Sequence, residues 1–203
     1  MMLNNLNNRD LVAIDVETSG TNPFRHDVLA VGLVPLNREL PSALVYVRPG
    51  ATEWNDFARQ NFERFSSEWE AGALVPHEAC DAIEAYLAET FGGRTATPIG
   101  HNVGFDLAFL RRLAFLGGRE QLDGLSHRAI DTHTLLYLLT VQGKIPEDAI
   151  TSDGAFRYFG ITVADRLRHT ALGDATATSE LVKRVFEAIL GTAGSPAPPC
   201  RRG

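Results

Sequence analysis

The stretch LVAIDVETSG, Leu11 to Gly20, sets two carboxylates, Asp15 and Glu17, at the end of an apolar run. Side chains alternate along a strand, so both acids point to one face and Val16 to the other. A buried carboxylate without a partner costs several kcal/mol or takes up a proton, so something must compensate this pair. Asp106 falls within the apolar stripe Val103, Leu107, Leu110, Leu113 and Ala114 of a helical stretch, with Arg112 on its far side. Asp174 heads a last helix whose buried stripe is Leu181, Val185 and Ile189. Any one of these acids alone reads as a cap, or as a core acid satisfied by an arginine or a backbone N–H. Four of them directed inward from three elements do not, because like charges at short range repel unless a cation lies between them. Hard oxygen donors of this kind suit Mg²⁺ or Mn²⁺ rather than zinc. His169, five positions before Asp174, reads on its own as a surface or capping residue. Beside a metal site it becomes a candidate general base, since an imidazole titrates near the working pH.

The elements that must carry these residues follow from local pattern. Leu11–Val16, Asp27–Leu36 and the run SALVYVRP read as three strands joined by short turns, which predicts an antiparallel meander. Residues 53–70, rich in Phe, Trp and Glu, read as one helix plus a loop. Pro76 opens a clear helix that Gly92 stops. ATPIGHN is a short strand, and VGFDLAFLRRLAFLGG is a helix ending at a glycine pair. AIDTHTLLYLLTVQG reads as a short strand turning into a helix, TSDGAFRYFGI as a short helix capped by Thr151 or Ser152, and the last helix as running from about Asp174 to Leu190. Strands first, then strands alternating with helices, predict an α/β fold with a mixed sheet flanked by helices. The expected organisation is a flexible N-terminus over 1–10, a single domain over 11–190, and a disordered tail over 191–203, where Gly, Pro and Ser dominate.

Composition sets outer bounds. A 44% hydrophobic and 22% charged chain can build an ordinary globular core. No run is long enough to span a bilayer, and MMLNNLNNRD lacks the apolar segment of a signal peptide. Two cysteines, Cys80 and Cys200, form neither a disulfide framework nor a zinc-ligand spacing, so the expected compartment is a reducing cytoplasm. The net charge of −6 argues against tight non-specific binding of long duplexes, although bound divalent ions would cancel part of it.

IDVETSG, GHNVGFDLAFL and HTALGDA, in this order and with a His-x4-Asp spacing in the last, resemble the three exonuclease motifs of the DEDDh, or DnaQ-like, 3′→5′ exonuclease family. The resemblance spans Leu11 to about Leu190. It implies a ribonuclease H-like fold with a mixed five-stranded sheet, and hydrolysis of phosphodiester bonds at single-stranded 3′ ends of DNA or RNA, releasing nucleoside 5′-monophosphates. Asp15, Glu17, Asp106 and Asp174 would then hold two divalent cations, with His169 as general base. Thr18 would lie at the terminal 3′-hydroxyl, and Asn102 and Phe105 would line the substrate groove. Core packing is an equally good account of Phe105. Asp131, also at a family position, is expected to have a structural hydrogen-bonding role. A homodimer is compatible with the resemblance, and the aromatic 53–70 segment could serve it.

The chain also departs from the family pattern. Ala30 stands where relatives often carry Glu, and residues 51–75 match no family motif. The first motif looks closer to the ribonuclease T branch than to the oligoribonuclease branch. The C-terminal tail is shorter than the polymerase-tethering segment of replicative proofreading subunits. Two alternatives use the same fold: a non-catalytic nucleic-acid-binding or accessory module, and a hydrolase of small nucleotides.

Overall fold

In the computed structural model, which describes residues 9–50, 53–164 and 167–191, five runs form strands: β1 (Leu11–Thr18), β2 (Val28–Pro35), β3 (Ala43–Tyr46), β4 (Thr97–Gly100) and β5 (Ile130–Asp131). They build one mixed sheet in the order β3-β2-β1-β4-β5. The first three strands form the expected antiparallel meander, and β4 and β5 add in parallel beside β1. What was expected for residues 1–8 and for the tail from 192, Cys200 included, lies outside the described residues.

Seven α-helices accompany the sheet among the described residues: α1 (Asp56–Phe62), α2 (Ser66–Gly72), α3 (Pro76–Phe91), α4 (Gly104–Leu116), α5 (Thr132–Val141), α6 (Ser152–Tyr158) and α7 (Ala171–Leu190). Local chemistry sets their ends. Pro76 opens α3, and Gly92 closes it with φ of 60°, a left-handed conformation that glycine adopts freely. Asn55, Asp131, Thr151 and Thr170 each cap a helix through a side-chain oxygen.

Three expectations need correction. Residues 53–70 form two short helices, not one, broken at Glu63–Phe65. The last helix starts at Ala171, because Thr170 takes the capping role, so Asp174 sits within its first turn instead of heading it. Arg112 does not face away: its Nε donates to the buried Asp27 carboxylate at 2.9 Å.

Alternation along β1 divides the core. Val12, Ile14 and Val16 pack with Ile83, Leu87, Phe109 and Leu113 of α3 and α4. Leu11 and Ala13 face the other way, onto Ala175 and Val182 of α7. The carboxylates of Asp15 and Glu17 continue this second row and so point toward the start of α7. A second small core on that side joins α1 and α2 to the sheet, with Trp54, Phe62, Phe65 and Trp69 packed around Leu29, Ala30 and Ala171. The aromatic content of the 53–70 segment is thus largely spent inside this chain.

α7 comes unusually close to β2 at Gly32, the cross-strand neighbour of Asp15. A Cβ at Gly32 would lie 2.2 Å from the Ala171 carbonyl oxygen, so backbone would have to move. Gly32→Ala should cost about 1–3 kcal/mol as overpacking and lower the melting temperature by roughly 3–10 °C. An unchanged thermal melt would contradict this close approach.

Candidate active site

The acids gather at the carboxyl ends of the parallel strands, the usual ligand crevice of an open α/β sheet. β1 brings Asp15 and Glu17, both half-buried. A register shift at Glu17/Thr18, where β1 leaves its regular pairing with β2, falls at this point. β4 pairs with β1 only as far as Ala13↔Ile99. Beyond it, the Val16 amide donates to Asp106 Oδ1 at 3.0 Å, which fixes the buried Asp106 of α4 against β1. Asp174 enters from the first turn of α7, and its amide donates to the Thr170 carbonyl.

Electrostatics show that the four carboxyls share one neighbourhood. Burial, followed by the charges of Asp106, Glu17 and Asp174, pushes Asp15 well above the usual carboxylate range. Burial and the charge of Asp174 raise Glu17 to about 8, against an opposing hydrogen bond from Asn61. Burial raises Asp106 to about 7, while the Val16 amide acts the other way. Asp174 is raised by burial, with the Arg168 guanidinium opposing. Arg168 forms ion pairs with both Asp174 and Asp153 and lies over the Phe156 ring. As placed, no three His, Cys, Asp or Glu side chains among the described residues converge tightly enough to hold an ion. Arg168, Asn61 and the Val16 amide instead engage one oxygen each of Asp174, Glu17 and Asp106. The donor set nevertheless fits a hard divalent cation: it is all oxygen, and burial first, with repulsion from neighbouring carboxylates at Asp15 and Glu17, raises its carboxyls above their ordinary range.

His169 and Asn102 are the two non-glycine residues with positive φ among the described ones, at 56° and 61°. Such strain persists where surrounding structure enforces it, and it clusters at functional sites. Each residue has a hydrogen bond that fixes it. Asn61 Nδ2 donates to the His169 carbonyl at 3.1 Å. The Asn102 amide donates to Asp131 Oδ1 at 2.9 Å, the same oxygen that takes the His133 amide, so Asp131 has the hydrogen-bonding role expected of it. Both His169 and Asn102 are exposed.

Thr18 ends β1 half-buried, its hydroxyl donating to the Gly20 carbonyl at 2.7 Å. The turn that follows is held by Ser19, which exchanges hydrogen bonds with Asp27, itself paired with Arg112. Phe105 is half-buried beside the main core, its ring 4.8 Å from that of Phe109. The sequence reading missed Asn61, whose Nδ2 also donates to Glu17 Oε2 at 2.7 Å. No local signal marks it, because its importance comes from two partners distant in sequence.

No protein-family profile matches the sequence. A DNA polymerase III subunit epsilon-like protein of Rhodobacter capsulatus is 35% identical over 94 residues, 46% of this chain and 12% of that protein. The match therefore spans about an eighth of the length of that relative. Among solved structures, E. coli exonuclease I in complex with a dT13 oligonucleotide matches with a TM-score of 0.68 and 17% identity, over 90% of this chain and 42% of that one. The nuclease domain of 3′hExo, a DEDDh family member bound to rAMP, matches with a TM-score of 0.68 and 15% identity, over 87% of this chain and 91% of that one. This chain carries the ribonuclease H-like fold of the DEDDh, or DnaQ-like, 3′→5′ exonucleases, the family that its three motifs resemble.

Proposed function

We propose that this chain is a 3′→5′ exonuclease that hydrolyses phosphodiester bonds at the 3′ ends of single-stranded nucleic acid. The observation that carries this reading is the meeting of Asp15, Glu17, Asp106 and Asp174 at the strand ends, with His169 in a strained conformation five residues before Asp174. The four carboxylates would hold two divalent cations, Mg²⁺ or Mn²⁺, which supply Lewis-acid activation of water and stabilise charge on the departing oxygen. His169, exposed at the entrance, takes the proton of the attacking water. The water oxygen bonds to phosphorus as the bond to the 3′-oxygen breaks, leaving a nucleoside 5′-monophosphate and a strand shorter by one. Thr18 and the turn after it receive the terminal nucleotide, and Asn102 borders the groove. Phe105 supports that border from the core side.

The oligonucleotide bound by E. coli exonuclease I and the rAMP bound by 3′hExo support a single-stranded substrate and leave both sugars as candidates. No helix among the described residues is long and apolar enough to cross a membrane. The buried free thiol of Cys80 fits a reducing cytoplasm.

The test is degradation of 5′-labelled single-stranded DNA and RNA with Mg²⁺, Mn²⁺ or EDTA. A ladder shortening from the 3′ end, abolished by EDTA, is expected. His169→Ala should lower kcat by about 10²- to 10⁴-fold, the usual contribution of a general base. Degradation that survives EDTA would overturn the reading. Cleavage confined to mononucleotides would favour a small-nucleotide hydrolase, and binding without cleavage an accessory module.

A further inference from the structure

We infer that Asn61 is a positioning residue of this site, setting the carboxylate of Glu17 and the backbone of His169 with one side chain. The inference rests on the reading of Glu17 as a metal ligand. Asn61 Nδ2 carries two hydrogens and directs them to Glu17 Oε2 at 2.7 Å and to the His169 carbonyl at 3.1 Å. With Glu17 ionised, as a metal ligand must be, the first bond is charge-assisted and belongs to the stronger class of hydrogen bonds. It occupies one Glu17 oxygen and thereby orients the other. The second grips the peptide that leaves His169, whose φ of 56° a histidine seldom adopts unaided.

The scaffold around Asn61 is built to hold it still. Asn55 caps α1 by accepting from the Ala58 amide at 2.7 Å, and its own amide donates to the Ser19 carbonyl in the turn after β1. Phe62, next to Asn61, packs edge-on against Trp54, Phe65 and Trp69, with ring centroids 5.1–5.3 Å away. Arg64 donates to the Arg168 carbonyl at 3.4 Å, adding a second tie to the same loop. Residues 54–65 thus connect the β1 turn, the Glu17 carboxylate and the His169 loop. This gives the 51–75 region, which matches no motif, a role in the site.

The experiment uses the full chain and Mn²⁺ as probe. Mn²⁺ affinity is measured by calorimetry for the wild type, Asn61→Ala and Asn61→Leu, the leucine keeping most of the volume without a donor. Melting temperatures in EDTA and steady-state kinetics on a single-stranded oligonucleotide are recorded alongside. Both variants are expected to bind Mn²⁺ about 10- to 100-fold more weakly, the usual effect of losing a partner behind a ligand. In EDTA, Asn61→Leu should melt within about 8 °C of the wild type, because the two hydrogen bonds it loses are a small part of total stability. kcat should fall and KM for the oligonucleotide should hold. Wild-type Mn²⁺ affinity and kcat in both variants would overturn the inference, as would a wild type that binds no Mn²⁺. A wild type that binds Mn²⁺ but leaves oligonucleotides intact would sink the exonuclease reading, while the affinity loss in the variants would still support Asn61.

Discussion

Asp15→Asn is expected to reduce strand degradation by about 10³-fold or more and, at the same time, to raise the melting temperature of the metal-free protein at pH 8. On the proposed reading, the loss follows from removing a metal-binding carboxylate worth several kcal/mol of transition-state charge stabilisation, at about 1.4 kcal/mol per tenfold in rate. The gain follows from the same geometry. Burial first, and then the charges of Asp106, Glu17 and Asp174, disfavour the ionisation of Asp15. A neutral amide of the same shape removes that repulsion. Function and stability therefore pull this position in opposite directions, as at other sites kept under strain. Thermal melts in EDTA and single-turnover degradation rates check both halves. Retention of more than about a tenth of the activity, or a lower metal-free melting temperature at pH 8, would contradict the account.

The second large effect concerns pH. Glu17 is raised from its ordinary 4.5 to about 8 and Asp106 from 3.8 to about 7. Between the ordinary and the raised values the folded protein holds protons that the unfolded chain has released. Stability then falls as pH increases. With respect to these groups the metal-free protein should accordingly be most stable below about pH 4 and lose stability up to about pH 8. With about 1.4 kcal/mol for each pH unit of separation per group, the loss is on the order of several kcal/mol. A saturating divalent cation should flatten the decline, because its ligands remain ionised, and should add about 2.7 kcal/mol at 100 times its dissociation constant. Urea unfolding at pH 5, 6.5 and 8, in EDTA and in Mg²⁺, measures this directly. A metal-free stability that rises across that range would reverse the sign and refute the repulsive cluster.

Much of this architecture was legible because its signals are local. β-branched residues and turn residues marked β1, and Pro76 and Gly92 bounded α3. Asp106 stood out as an acid within an apolar stripe, and it is buried. Errors arose where neighbouring elements decide. The expected stripe of α4 holds at Val103, Leu110, Leu113 and Ala114, with Leu107 packed against the same core, but it omits the buried Phe109. Periodicity alone turns Arg112 outward, yet the buried Asp27 draws it in. Thr170 outcompetes Asp174 as the cap of α7, one turn earlier than the acid suggested. Asn61 was invisible because a single asparagine in an aperiodic segment gains meaning only once Glu17 and His169 are beside it.

The order in which the chain supplies the site has a consequence for synthesis. Asp15 and Glu17 come from the first strand, Asp106 from mid-chain, and Asp174 with His169 from the last helix and the loop before it. During translation the amino-terminal portion emerges and collapses first, and closing contacts between distant parts is slow. A nascent chain holding only the first three acids lacks both the proposed base and the proposed fourth ligand. α7, whose first residue packs on Gly32 of β2, follows the other elements that supply the site in sequence. On the proposed reading, the site stays incomplete on the ribosome until α7 has been made.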